Sequence, residues 1–185
     1  MTGARGSRTA AALTAAVACA GVVGGCTTSS TPATAEQGDI ATVTRVVDGD
    51  TVIVEPERGG TIRVRLIGVD TPETVKQDTA PQCFGREASA RTHQLADHAT
   101  VRLEFDTAVD RVDRYGRTLA YVWLPNERML NSELLTGGYA REYDYNHQNY
   151  RYRDQFRDAQ TSAQHANRGC GRSAASQRHP EWGFA

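Results

Sequence analysis

A chain of 185 residues, 39% of them hydrophobic, supports one folded domain of ordinary size and leaves little room for a second. Its 21 basic residues stand against 22 acidic ones, a net charge of −1. That balance excludes a protein that adheres to nucleic acid through a general positive field. Lys76 is the sole lysine, so phosphate recognition has to rest on a local cluster of arginines.

Residues 1–25 read as an export signal. Arg5 and Arg8 form a short basic head, followed by an Ala/Val-rich run from Thr9 to Val23. The run falls short of the roughly 20 strongly apolar residues of a comfortable membrane span. Val23-Gly24-Gly25-Cys26 resembles the bacterial lipobox, in which the cysteine carries lipid and becomes the new N-terminus. Ordinary secretion with cleavage after Ala18-Cys19-Ala20 is the alternative. The expectation is an exported protein, held on the outer face of the cell membrane through Cys26 or released. A stable anchor needs more than one acyl chain. Residues 26–39, small and polar, read as a flexible tether. Loss of the signal removes two arginines and no acids, so the net charge moves from −1 to about −3.

Of the cysteines, Cys19 leaves with the signal and Cys26 takes lipid, so Cys83 and Cys170 are expected to pair outside the cytosol. Such a bond closes a loop of roughly 88 residues and contributes about 4–5 kcal/mol in the chain-entropy picture. Two free thiols are the alternative.

The folded part is expected over 40–170, with 171–185 as a tail. Ile40–Val47, Thr51–Glu55 and Thr61–Ile67 read as strands, turned by Asp48-Gly49-Asp50 and Arg58-Gly59-Gly60. In the third, Ile62, Val64 and Leu66 alternate with Arg63 and Arg65, giving a buried face and a charged one. Phe84–His98 has a helical stripe at Phe84, Ala88, Thr92 and Leu95. Val101–Phe105 and Arg117–Leu124 are strand-like around the polar turn 110–116. Met129–Leu135 is a short helix ended by Gly137-Gly138. A last helix buries Tyr152, Phe156, Ala159, Ala163 and Ala166. The pattern predicts an α+β, mainly β fold: a five-stranded Greek-key barrel of the OB type with three helices.

Two runs carry the chemistry. Asp48-Gly49-Asp50-Thr51 and Asp70-Thr71-Pro72-Glu73-Thr74 put carboxylates at two turns, joined by a strand that holds arginine. This arrangement suits a hard metal ion beside a phosphate. His93 and His98, five apart on a helix, face different ways and do not share a zinc ion.

Four segments in order then resemble the staphylococcal nuclease (thermonuclease) family. They are Val47-Asp48-Gly49-Asp50-Thr51-Val52, the run from Arg65 to Thr74, Phe84-Gly85-Arg86-Glu87-Ala88-Ser89, and Asp113 to Tyr121. The resemblance implies calcium-dependent hydrolysis of DNA and RNA to 3′-phosphate ends, favouring single or breathing strands, by a monomer. It implies Asp50, Asp70 and the Thr71 carbonyl as metal ligands, with Asp48 supporting them from behind. Glu73 matches the general base, or the group that orients the attacking water. Arg65 and Arg117 match the two arginines that stabilise the transition state, and Arg114 and Tyr115 the pair that contacts phosphate. A further substrate tyrosine falls at Tyr143 or Tyr145. Segment 75–82 has Lys76 alone where well-known members carry several lysines, which bears on affinity rather than chemistry. The alternative function is a surface-anchored OB module that binds nucleic acid without cutting it. Retention of Asp50, Arg65, Asp70, Glu73 and Arg117 together favours catalysis.

Overall fold

The computed structural model describes residues 36–72, 84–144 and 148–169, with the side chains of Glu36 and Gln37 excepted. The alternating segments become a closed barrel. β1 (Glu36–Val46) pairs antiparallel with β2 (Thr51–Pro56), and β2 with β3 (Ile62–Leu66). A two-residue β4 (Val69–Asp70) precedes α1 (Gly85–Ala96). β5 (Thr100–Phe105) then lies antiparallel to β1, and β6 (Thr118–Leu124) antiparallel to β5. Parallel pairing of β3 with β6, from Val64↔Thr118 to Leu66↔Ala120, closes the barrel. With β7 (Arg128–Met129), α2 (Leu130–Thr136), β8 (Arg141–Glu142) and α3 (Arg153–His165), this is the expected five-strand OB-type barrel with three helices.

The core is the inward face of every strand. Val43, Val52, Val54, Val64, Leu103 and Val122 are fully buried, each worth about 1.5–3 kcal/mol of transfer free energy. From α3, Phe156 enters this core against Tyr121, with ring centres 6.1 Å apart and edge to face. Buried Glu104 on β5 accepts from Trp123 Nε1 at 2.7 Å, Arg151 at 3.1 Å and the Tyr152 hydroxyl at 2.9 Å, which ties the start of α3 to the barrel. Asn131 on α2, wholly buried, donates to Ile67 O at 2.8 Å and accepts from Val122 N–H at 3.1 Å. It ties β6 to the chain segment after β3 that leads into the acidic corner.

The boundaries differ from expectation where tertiary contacts decide. β1 starts at Glu36, not Ile40, because Gly38 has no Cβ to strike Leu103 O across the pair, and a register shift follows between Gln37 and Ile40. α1 stops at Ala96, and its buried stripe is Gly85, Ala88, Thr92 and Ala96 rather than one ending on Leu95. In α3 only Phe156 and Ala163 are fully covered, and Ala166 is exposed beyond its end. Arg117 lies in the turn before β6 rather than within it. Among the described residues, no helix is long and apolar enough to cross a membrane.

Candidate active site

The β1–β2 turn presents Asp50 inward because Gly49 leaves no room for a side chain. A Cβ there would stand 2.6–2.8 Å from the atoms of Thr71. From behind, Thr92 of α1 donates to Gly49 O at 2.7 Å and fixes the turn. Asp50, only 6% exposed, accepts from the Thr71 N–H at 2.8 Å and the Thr71 hydroxyl at 3.0 Å on one oxygen, and from the Thr51 hydroxyl at 3.1 Å on the other. Thr71 thereby clamps the second acidic turn onto the first.

Arg65 joins the two acids. The Thr51↔Arg65 register sets its side chain beside that turn. One terminal nitrogen lies 3.0 Å from Asp50 and donates to Val69 O at 2.7 Å; the other donates to Asp70 at 3.0 Å. Arg141, opposite Asp70 in the β4–β8 pair, grips the other Asp70 oxygen through Nε at 3.2 Å and a terminal nitrogen at 3.0 Å. Burial is the largest influence on Asp70 and raises its pKa, with Arg65 opposing, Asp50 adding and Arg141 opposing. Half-buried Asp48 is pushed up to about 6, first by burial and then by the charge of Asp50.

Arg117 arrives from the other side through barrel closure, one residue before the β3–β6 pairing starts. Asp113 holds it. One Asp113 oxygen accepts the backbone N–H groups of Tyr115 and Arg117, both at 2.9 Å, and the other accepts Arg117 Nε at 2.7 Å. Gly116, at φ +75°, permits that turn. With Nε anchored, neither terminal nitrogen of Arg117 has a partner among the described residues. Its guanidinium lies 5.2 Å from the centre of the exposed Tyr115 ring.

Asp48, Asp50, Arg65, Asp70, Thr71 and Arg117 thus line one cleft of about 410 Å³, with Arg63, Pro72 and Tyr115 on the same walls. A second hollow of about 220 Å³ adjoins it, sharing Arg65, Asp70, Tyr115 and Arg117, and carries Arg114, Leu119, Tyr143 and Tyr150. Its lining combines tyrosine rings with guanidinium groups, a chemistry suited to a planar ring attached to a phosphate.

The donors in the acidic corner are all oxygens, the set a hard divalent cation takes, and a cation there would offset the burial and the Asp50 charge that raise Asp48. The residues fit such an ion. Among the described residues no group of three ligand side chains is already converged, since Arg65 bridges Asp50 and Asp70 instead.

The structure brings together the sequence-derived residues Asp48, Asp50, Arg65, Asp70, Thr71, Arg114, Tyr115, Arg117 and Tyr143. Glu73, Cys26, Cys83, Tyr145 and Cys170 lie outside the described residues, as do the signal, most of the tether and the tail. Sequence reading missed Arg141 and Asp113. Arg141 is 71 positions from Asp70 and meets it through a strand too short to show alternation. Asp113 carried a signal, an Asp two residues before the Tyr-Gly turn, where a carboxylate caps backbone N–H groups.

Residues 63–170 match the family model described as "Staphylococcal nuclease homologue". The thermonuclease of Staphylococcus hyicus is 49% identical over 122 residues, covering 66% of this chain and 69% of that protein. The thermonuclease of Staphylococcus intermedius is 48% identical over 128 residues, covering 69% and 73%. Endonuclease YncB of Bacillus subtilis is 40% identical over 131 residues, covering 70% and 61%. With the matched segment containing the β3 arginines, the Asp70–Thr71 turn after them and the Asp113–Arg117 turn, the chain belongs to the staphylococcal nuclease family.

Proposed function

We propose that this protein is a calcium-dependent nuclease that hydrolyses DNA and RNA phosphodiesters and leaves 3′-phosphate ends. The observation that carries the reading is the meeting of Asp50, Arg65, Asp70 and Arg117 on one cleft. The nuclease and endonuclease names of the relatives support it.

Asp50, Asp70 and the Thr71 carbonyl would hold the ion, with Asp48 behind them. When bound, calcium supplies positive charge next to a phosphate oxygen without demanding rigid geometry. The chain's own groups do the rest. Arg117 offers its two terminal nitrogens to the non-bridging oxygens, whose charge grows as a fifth oxygen reaches phosphorus. Arg65 keeps an Nε–H without a partner among the described residues while its tips hold the two aspartates, so it both orders the acids and faces phosphate. Glu73, three residues beyond Asp70 and stiffened by Pro72, takes the proton of the attacking water or aligns that water. The bond to the 5′ oxygen breaks. Arg114, Tyr115 and Tyr143 hold the adjoining nucleotide in the second hollow.

We also read the protein as a monomer exported by its N-terminal segment, tethered through a lipid on Cys26 or released, with Cys83 and Cys170 paired. Digestion of single-stranded DNA with calcium and with chelator tests the catalytic reading. Chelation should abolish cleavage, and Glu73→Gln and Arg117→Ala should each slow it by about two orders of magnitude or more at unchanged fold. Equal rates in chelator, or wild-type rates from both variants, would refute it. Tight binding without any cleavage would favour the binding module instead.

A further inference from the structure

β3 carries a second arginine on the face that holds Arg65. Arg63 precedes it by two positions, so the two side chains project the same way, roughly 6.6 Å apart along the strand. Continuing the β3–β6 register one step back from Val64↔Thr118 sets Arg63 level with Arg117. Arg63 is exposed, lines the cleft with Arg65 and Arg117, and has no carboxylate partner among the described residues. Glu55, diagonal to it across β2 in the Ile53↔Arg63 register, forms no ion pair with it. Every other guanidinium of this cleft is anchored: Arg65 to Asp50 and Asp70, Arg117 to Asp113. A guanidinium with no acid partner among the described residues, two strand positions from an anchored one, matches the repeat of adjacent phosphates on an extended single strand.

Resting on the nuclease reading, we propose that Arg63 binds the polynucleotide phosphate next to the scissile one, giving this acidic protein its preference for chains over single phosphodiesters. Arg65 and Arg117 hold the reacting phosphate. Arg63, out at the rim, holds its neighbour and sets the register of the strand in the cleft.

The test is Arg63→Gln in the full protein, with calcium, compared with wild type on a single-stranded oligonucleotide and on a dinucleotide that has one phosphodiester. On the oligonucleotide kcat/KM should fall about tenfold, carried by KM, and on the dinucleotide much less. The slope of log kcat/KM against log salt, read between about 50 and 200 mM, should shrink by about 0.7, the counterion release of one single-strand contact. Arg63→Lys should restore that slope, since a point charge suffices for it. Thermal unfolding should be unmoved, because the residue is exposed and makes no ion pair among the described residues. An unchanged slope, or equal losses on the two substrates, overturns the proposal while leaving the nuclease standing. A wild-type protein that cuts neither substrate removes the nuclease reading itself, and Arg63 with it.

Discussion

Replacing Asp113 with asparagine separates the placing of Arg117 from its mere presence. The carboxylate is 5% exposed and accepts three hydrogen bonds, from Tyr115 N–H at 2.9 Å, Arg117 N–H at 2.9 Å and Arg117 Nε at 2.7 Å. Burial alone would raise its pKa; the bonds from Arg117 and Tyr115 outweigh burial and hold it below the usual carboxylate range. An amide of the same shape keeps one acceptor oxygen. It can serve the two backbone donors or the guanidinium, but not both. The lost charge-assisted bond is worth about 1.5–3 kcal/mol, so stability should drop by roughly that amount in a denaturant titration. Arg117, released at Nε, samples orientations that miss the phosphate, and a displacement of 1 Å at such a group costs on the order of 100-fold in rate. We expect kcat to fall between 10- and 100-fold with KM changed little, because the contact strengthens in the transition state. In the Arg117→Ala background the same substitution should cost almost nothing further in kcat. A full additional loss there, or a wild-type kcat from Asp113→Asn alone, would refute the positioning role.

Gly49→Ala forces the Asp50 turn away from Thr71, whose side chain stands 2.6–2.8 Å from the new methyl. Overpacking of this kind costs about 1–3 kcal/mol and should lower calcium affinity in a titration more than Asp97→Ala on the outer end of α1 does. Asp106 tests acid stability. Burial opposes its ionisation, but bonds from Arg151 N–H, Ala108 N–H and the Tyr121 hydroxyl prevail and lower its pKa. A lowered folded pKa means that the unfolded chain takes up the proton first. The contribution is therefore complete above the unfolded value of about 3.9 and fades as pH falls through the folded one. The stability gap between wild type and Asp106→Asn should be wide at pH 6 and narrow steadily below about pH 4. A gap independent of pH would show that the carboxylate charge contributes nothing.

Period-two alternation made β3 readable, turn residues bounded β2, and β6 read as strand from its run of aliphatic and aromatic residues, three of them consecutive and buried. That alternation alone puts Arg65 on the charged side of its strand. What alternation does not encode is the partner across a long loop. β4 and β8 are two residues each, so neither shows a period, yet their pairing delivers Arg141 to Asp70. Likewise Gly38 reads as linker until β5 lies against it, and then its missing Cβ is what extends β1. Asp113 was visible as a turn residue. That its second oxygen would hold the Arg117 side chain depended on the turn's left-handed Gly116, a conformation sequence suggests but does not orient.

The acidic balance of the chain and its arginine-rich cleft follow from one electrostatic arrangement. On the walls of the cleft, Asp48, Asp50 and Asp70 face Arg63, Arg65 and Arg117, three charges of each sign among the described residues. Seen from beyond about 8–10 Å these cancel, so a polyanion is neither drawn in nor repelled. Within the cleft they do not cancel, because Arg117, held at Nε by Asp113, keeps both terminal nitrogens clear of partners among the described residues. Under the calcium reading, a bound divalent ion neutralises the acids and leaves the cationic edges dominant. Phosphate affinity and cation affinity are then coupled, and thermodynamic reciprocity makes each raise the other by the same factor. A protein built this way needs no basic surface to find nucleic acid. On the proposed reading phosphate is held where an ion and a guanidinium meet, and Arg63, which has no acid partner among the described residues, is the group that tells a strand from a single ester.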